Sequence, residues 1–196
     1  MRSLLATFST ALEARDPYLR GHSARVTSIA DGLARRLGWR GERLDALRLG
    51  GSLHDVGKLA VEESVLRKPG ALTERELAEI RAHPVAGARL IEGVAGFRAA
   101  LPYVLHHHER WDGTGYPDRL AGDEIPIEAR LLGVADAFDA MTSVRSYRSA
   151  LSVEQALDEL RRCAGSQFDP MLAETFVEGW RTGCIIVSEP PVGVAI

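Results

Sequence analysis

Apolar residues recur at helical spacing along most of this chain. Leu4, Leu5, Phe8, Ala11 and Leu12 fall on one stripe and predict a helix over 3–14, which Asp16-Pro17 ends. Val26, Ile29, Leu33 and Leu37 follow at spacings of 3, 4 and 4 and predict a helix over 19–37, stopped at Gly38. His22, four residues before Val26, joins the inward stripe of that helix. A third helix is predicted over 42–56, through Leu44, Leu47 and His54. Thr73-Glu74-Arg75-Glu76 has the capping-box pattern and opens a helix over 74–81. His83-Pro84 marks a boundary, and Pro84 can start a helix that runs to 92. Residues 98–108 carry Leu101, Val104, Leu105 and His108 in register. Ile127, Leu131, Val134, Phe138 and Met141 predict a helix over 127–142. Ser152 caps one over 152–163, and Asp169, with Pro170 at the first position, opens one over 170–181.

Two stretches break the pattern. Residues 57–72 read as a loop, with Gly57, Pro69 and Gly70. The run WDGTGYPDRLAGDEIP over 111–126 is a long loop, and loops of that length inside a domain are commonly functional. Residues 143–150 are irregular, and the tail from Thr182 reads as a short strand or a frayed end. The expected architecture is an all-α bundle of roughly eight helices, a single domain over 1–182 followed by a tail over 183–196.

Composition narrows the class. The chain has 196 residues, 45% apolar and 26% charged, which excludes a disordered, collagenous or coiled-coil protein. A net charge of −3 argues against a basic face over the whole domain, so no DNA partner is expected. No apolar run approaches the ~18 residues of a membrane span. Cys163 and Cys184 form neither a CxxC pair nor a disulfide framework, and the expectation is a cytoplasmic protein with free thiols. Only Lys58 and Lys68 are lysines, against 22 arginines.

The six histidines, at 22, 54, 83 and 106–108, carry the chemistry. His54-Asp55 offers an imidazole and a carboxylate, the usual ligands of divalent transition metals. The same pair could simply end a helix. Gly50 and Gly51 just before it suggest that another backbone or a site approaches closely. Consecutive residues on a helix point ~100° apart, so at most two of His106, His107 and His108 converge. His108 shares the apolar stripe, and either neighbour can join it. Asp136 sits in an otherwise apolar helix, where a buried carboxylate needs a partner or a metal. Asp139, three residues on, shares its face.

These residues carry a resemblance. His54-Asp55-Val56-Gly57-Lys58 resembles the HD motif of the HD metal-dependent phosphohydrolases. His108-Glu109 with Asp112-Gly113-Thr114-Gly115-Tyr116-Pro117 resembles the HHExxDGxGYP signature of their HD-GYP subfamily. Gly21-His22, Lys68-Pro69-Gly70, His83-Pro84, Val134-Ala135-Asp136 and Arg145-Ser146-Tyr147-Arg148 resemble further family elements in order, so the resemblance covers about residues 4–177.

The resemblance implies an HD-domain bundle with a long GYP loop and a site for two divalent transition-metal ions, iron or manganese. Its ligands would be His22, His54, Asp55, His83, His107, His108 and Asp136, with Asp55 bridging. It implies a phosphodiesterase that opens cyclic di-GMP to linear pGpG, which some members carry on to GMP. Asp55 and Lys58 would be catalytic, and Lys58, Arg145 and Arg148 would bind phosphate. Gly115, Tyr116 and Pro117 would line the substrate groove and meet a diguanylate cyclase domain. Asp139 and Glu109 would support the ligands, and a homodimer is compatible. Tyr18 stands where some members carry a third-metal Glu, so two metals and pGpG are expected. Ser146 stands where the family usually has Pro. The chain begins at the helix that the family places first, so no sensor domain is expected ahead of it. Two other readings remain: an HD hydrolase acting on another cyclic dinucleotide or nucleotide, and a silent binding module.

Overall fold

The structure, a computed structural model, describes residues 2–16, 20–144 and 149–185. Its helices are α1 (Arg2–Arg15), α2 (His22–Arg36), α3 (Gly41–Leu53), α4 (Glu63–Leu66), α5 (Glu74–Arg81), α6 (His83–Glu92), α7 (Leu101–His106), α8 (Ile127–Thr142), α9 (Val153–Arg162) and α10 (Pro170–Arg181). Short 3-10 turns cover Val56–Ala60, Arg98–Ala100 and Gly122–Glu124. Among the described residues there is no strand, only two isolated bridges. The all-α expectation holds.

Local chemistry explains the helix starts. Thr73 and Ser152 accept from the backbone N–H three residues on, and Glu76 and Gln155 close the reciprocal bond of a capping box. Asp169 accepts from the N–H groups of Met171 and Leu172, with Pro170 in the first turn. Three expectations need correction. The stretch 57–72, expected as a loop, carries most of the 3-10 turn Val56–Ala60 and the one-turn helix α4. Helix α3 ends at Leu53 rather than 56, and the chain then tightens into 3-10 geometry. The helix predicted over 98–108 is a 3-10 turn followed by α7, which ends at His106 and leaves His107 and His108 beyond it.

The core has two parts. The larger joins α2, α3, α8, α9 and α10 through Val26, Leu33, Leu47, Leu131, Phe138, Leu160 and Phe176. The smaller gathers Leu53, Val56, Ile91, Phe97, Ala100 and Val104, with Leu5 and Phe8 of α1 packed against it. Leu53 and Val56 flank His54-Asp55, so burying them carries the pair inward. Ile185, three residues past the expected boundary at 182, is buried against Gly32 of α2 and Gly179 of α10.

Tyr103 is fully buried, and its ring fills the space over Gly50, where an added Cβ would lie 2.3 Å from it. Its hydroxyl has no hydrogen-bond partner among the described residues. A buried unsatisfied hydroxyl costs about 1–3 kcal/mol. Tyr103→Phe is therefore expected to raise the melting temperature by roughly 2–4 °C for each kcal/mol or so recovered. A fall in a thermal melt would contradict this.

Candidate metal centre

Three helix ends build the site. A helix leaves its last carbonyls without intrahelical partners. His54, at the end of α3, donates Nδ1–H to Gly51 O at 2.8 Å. His83, just past α5, donates Nδ1–H to Ile80 O at 2.8 Å. His107, just past α7, lies 3.0 Å from Tyr103 O and from Val104 O through Nδ1. A carbonyl only accepts, so each Nδ1 carries the proton and each Nε2 presents a lone pair. His22 opens α2, and its Nδ1 meets Asp139 Oδ2 at 2.7 Å. Arg25, one turn on, grips the same carboxylate with Nε at 2.6 Å and Nη2 at 3.1 Å.

The four Nε2 atoms converge on Asp55. Its Oδ1 lies 3.3 Å from His83 Nε2 and 4.0 Å from His107 Nε2; its Oδ2 lies 3.6 Å from His54 Nε2 and 3.8 Å from His22 Nε2. Asp136 Oδ1 lies 3.3 Å from His22 Nε2 and 4.0 Å from His54 Nε2. The ligand atoms fall into two groups, Asp55 with His83, His107 and His108, and His22 with His54 and Asp136. All seven residues named from the resemblance as ligands are thus brought together.

The donor set fits a pair of divalent transition cations. His54 Nε2 is buried with no hydrogen-bond partner among the described residues. The Nε2 atoms of His83 and His107 face each other at 3.3 Å, a contact between lone pairs that a shared cation relieves. Imidazoles fixed through the opposite nitrogen, beside carboxylates, are the usual arrangement of metal ligands.

Electrostatics keep most of these groups in ligand form. Burial lowers His54 and His107 and pushes His108 down to about 3. Burial alone would lower His22 too, but the hydrogen bonds to Asp136 and Asp139 outweigh it and raise its pKa to about 9. A cation taken up at His22 Nε2 must therefore displace a proton at neutral pH. Burial opposes the charge on Asp55, but Lys58 and His54 hold its carboxyl well below the usual range. Burial likewise opposes charge on Asp136, and His22 overcomes it.

The other predicted residues separate. Lys58 Nζ sits 2.7 Å from Asp55 Oδ2, and the lysine side chain is 20% exposed. Lys68 instead closes the α5 cap through Glu76. Tyr116 stacks on His108, with centroids 4.9 Å apart. Gly115 packs against the backbone of Glu109 and Arg110, and Pro117 follows a cis peptide bond; of the three, only Tyr116 lines the cavities beside the cluster. Glu109 accepts from Asp118 N–H at 2.7 Å and so braces the GYP loop rather than any of the seven. Tyr18, Arg145, Ser146 and Arg148 lie outside the described residues. Sequence reasoning missed Arg25. Its signal is the one-turn spacing from His22.

Residues 6–172 match the family model described as HD domain. The chain is 38% identical over 180 residues to the cyclic di-GMP phosphodiesterase response regulator RpfG of Xanthomonas campestris pv. campestris, covering 91% of this chain and 48% of that protein. It is 39% identical over 168 residues to a cyclic di-GMP phosphodiesterase of Pseudomonas aeruginosa, covering 85% and 40%. It is 36% identical over 181 residues to 3'3'-cGAMP-specific phosphodiesterase 2 of Vibrio cholerae, covering 91% and 35%. The chain thus spans less than half the length of these relatives. The HD domain of the L. monocytogenes phosphodiesterase PgpH, solved with cyclic di-AMP, shares the fold: TM-score 0.61, 17% identity, 89% of this chain and 96% of that one.

Proposed function

This chain belongs to the HD domain family, and from that premise we propose that it is a phosphodiesterase that opens cyclic di-GMP to linear pGpG with two divalent transition-metal ions. The observation that carries the reading is the set of imidazoles whose Nδ1 atoms are engaged and whose Nε2 atoms surround one carboxylate. Asp55, His83, His107 and His108 would hold one ion and His22, His54 and Asp136 the other, with Asp55 shared. Mixed nitrogen and oxygen donors suit iron or manganese. Bound there, the ions would supply Lewis-acid activation of the phosphodiester and of the attacking water. The relatives named as cyclic di-GMP phosphodiesterases support the substrate. A relative named for 3'3'-cGAMP supports a second reading, that dinucleotide.

The chain's own groups do the positioning. Arg25 and Asp139 fix the ring of His22. Lys58 neutralises Asp55 and, through its remaining ammonium protons, offers donors to a phosphate oxygen in the cavity it lines. Tyr116 holds the ring of His108 by stacking. The direct test incubates manganese- or iron-loaded protein with cyclic di-GMP and 3'3'-cGAMP and separates the products. The reading expects pGpG from cyclic di-GMP, loss of turnover with chelator and its return with metal. No turnover of either dinucleotide by metal-loaded protein would contradict it.

Lys58 gives a graded prediction. A hydrogen bond to a charged group contributes about 1.5–3 kcal/mol, so Lys58→Ala is expected to lower kcat/KM roughly 10- to 150-fold with metal content retained. Lys68→Met removes only a helix-cap partner and is expected to stay within about twofold in the same assay.

A further inference from the structure

Two cavities of about 240 Å³ each meet at the cluster and share His108, Tyr116 and Asp136 as a common wall. In the first, Lys58 and Arg25 lie beside His22 and His83; in the second, the cations are Arg110 and Arg130. The second runs away from the cluster along one face of α8, from Asp136 past Gly133 to Arg130. At 1.5 Å per residue that is about 9 Å. Gly133 and its neighbours Ala129 and Ala137 keep the floor low, while Trp111 and Gln167 line the sides. The side-chain amide of Gln167 has no hydrogen-bond partner among the described residues, because only its backbone is engaged, accepting from Trp111 N–H at 3.2 Å.

The cations of this second cavity are already paired: Arg110 with Asp112 at 2.8 Å, and Arg130, at its far end, with Asp123 and Asp169, both at 2.8 Å through Nη1. Glu109 and Asp169 add negative charge to the lining. The cavity is also smaller than the roughly 300–1,000 Å³ of a pocket for a whole ligand. What fits is one flat, neutral group with a polar edge. We infer that this groove is the base subsite: it takes one purine of the cyclic dinucleotide, stacked on Trp111 and hydrogen-bonded by Gln167, while the scissile phosphate lies on the Lys58 side of the wall. The inference rests on the cyclic-dinucleotide reading above, and it makes Trp111 and Gln167 the residues that grip the base.

The test uses binding, so that it does not depend on turnover. GMP is titrated into the metal-loaded protein and tryptophan emission is followed, with ribose 5-phosphate as the control that lacks a base. GMP is expected to quench saturably and ribose 5-phosphate not to. The quench should vanish in Trp111→Phe, since Trp39 and Trp180 lie outside the groove. In Gln167→Ala the half-saturating GMP concentration should rise roughly 2- to 13-fold, the worth of one hydrogen bond. In kinetics, Trp111→Ala should raise KM for cyclic di-GMP roughly 5- to 150-fold, as for loss of one base–aromatic stack, and Trp111→Phe, which keeps an aromatic face, should raise it less. A quench that survives Trp111→Phe, or equal quenching by the two probes, would overturn the subsite. GMP quenching that behaves as expected in a protein that leaves cyclic di-GMP intact would support the subsite and overturn the phosphodiesterase reading.

Discussion

Asp55→Ala is expected to lower kcat/KM at least about 1,000-fold, which is roughly 4 kcal/mol of transition-state stabilisation. The size follows from position. Among the described contacts, Asp55 is the carboxylate with oxygens within 4.0 Å of histidines of both ligand groups, His83 and His107 on one side, His22 and His54 on the other. In the proposed arrangement, where Asp55 is shared, its loss would take a donor from both ions. It also strips Lys58 of the carboxylate that it contacts at 2.7 Å, leaving an uncompensated ammonium in the cleft. Asp55→Asn keeps the shape but not the charge, and should fall nearly as far. His83→Ala, which removes one donor from one group, should fall less. Steady-state kinetics with saturating manganese check the order; Asp55→Ala within tenfold of wild type would contradict it.

Gly57→Ala should disable the protein without replacing a polar side chain. A Cβ built on Gly57 would lie 1.8 Å from His83 O and 2.5 Å from Gly87 N. Both are backbone atoms of α6, so no side chain can swing away. The turn after the HD pair is pressed against the start of α6 because that contact brings His83 to Asp55. Overpacking a core costs about 1–3 kcal/mol even where side chains can yield, and a backbone overlap belongs at or above the top of that range. The melting temperature should fall by roughly 6–12 °C. A displacement of about 1 Å between catalytic groups can cost 100-fold, so kcat/KM in the surviving folded fraction should drop by at least that factor. The control is Gly93→Ala. Among the described residues nothing lies within 4 Å of its Cβ, and its φ is −82°, so it should be neutral or slightly stabilising. Equal melting temperatures for the two variants would contradict this account.

The two readings of His54 in the sequence, helix cap or metal ligand, turn out to be one geometry. Its Nδ1 satisfies the end of α3 and its Nε2 is thereby freed to face Asp55. The same holds for His83 at the end of α5 and His107 at the end of α7. A histidine directly after a helix is therefore a local feature, and the sequence carries it. The caps at Thr73, Ser152 and Asp169 were legible for the same reason, since each acts within three residues. Convergence is not local. Apolar spacing alone left open whether His106 or His107 joins His108. The end of α7 at His106 decides it: His106 turns to Asp118 while His107 enters the cluster. Gly50 and Gly51 were read as signs of close approach, and they do receive Tyr103 and Thr27. Gly57 looked like loop punctuation, because the carbonyl that demands it belongs to a residue 26 positions away in the chain. The groove along α8 was hidden similarly, since Trp111 and Gln167 meet Gly133 only in three dimensions.

The central claim is that this chain holds two cations around one shared carboxylate. Elemental analysis of protein equilibrated with manganese and freed of unbound metal tests it most directly, on wild type, His22→Ala and Asp55→Ala together. The account predicts about two ions per chain in wild type, about one in His22→Ala with the fold intact by circular dichroism, and close to none in Asp55→Ala. A wild-type protein that retains no ion, or whose metal content is unchanged by Asp55→Ala, would contradict it.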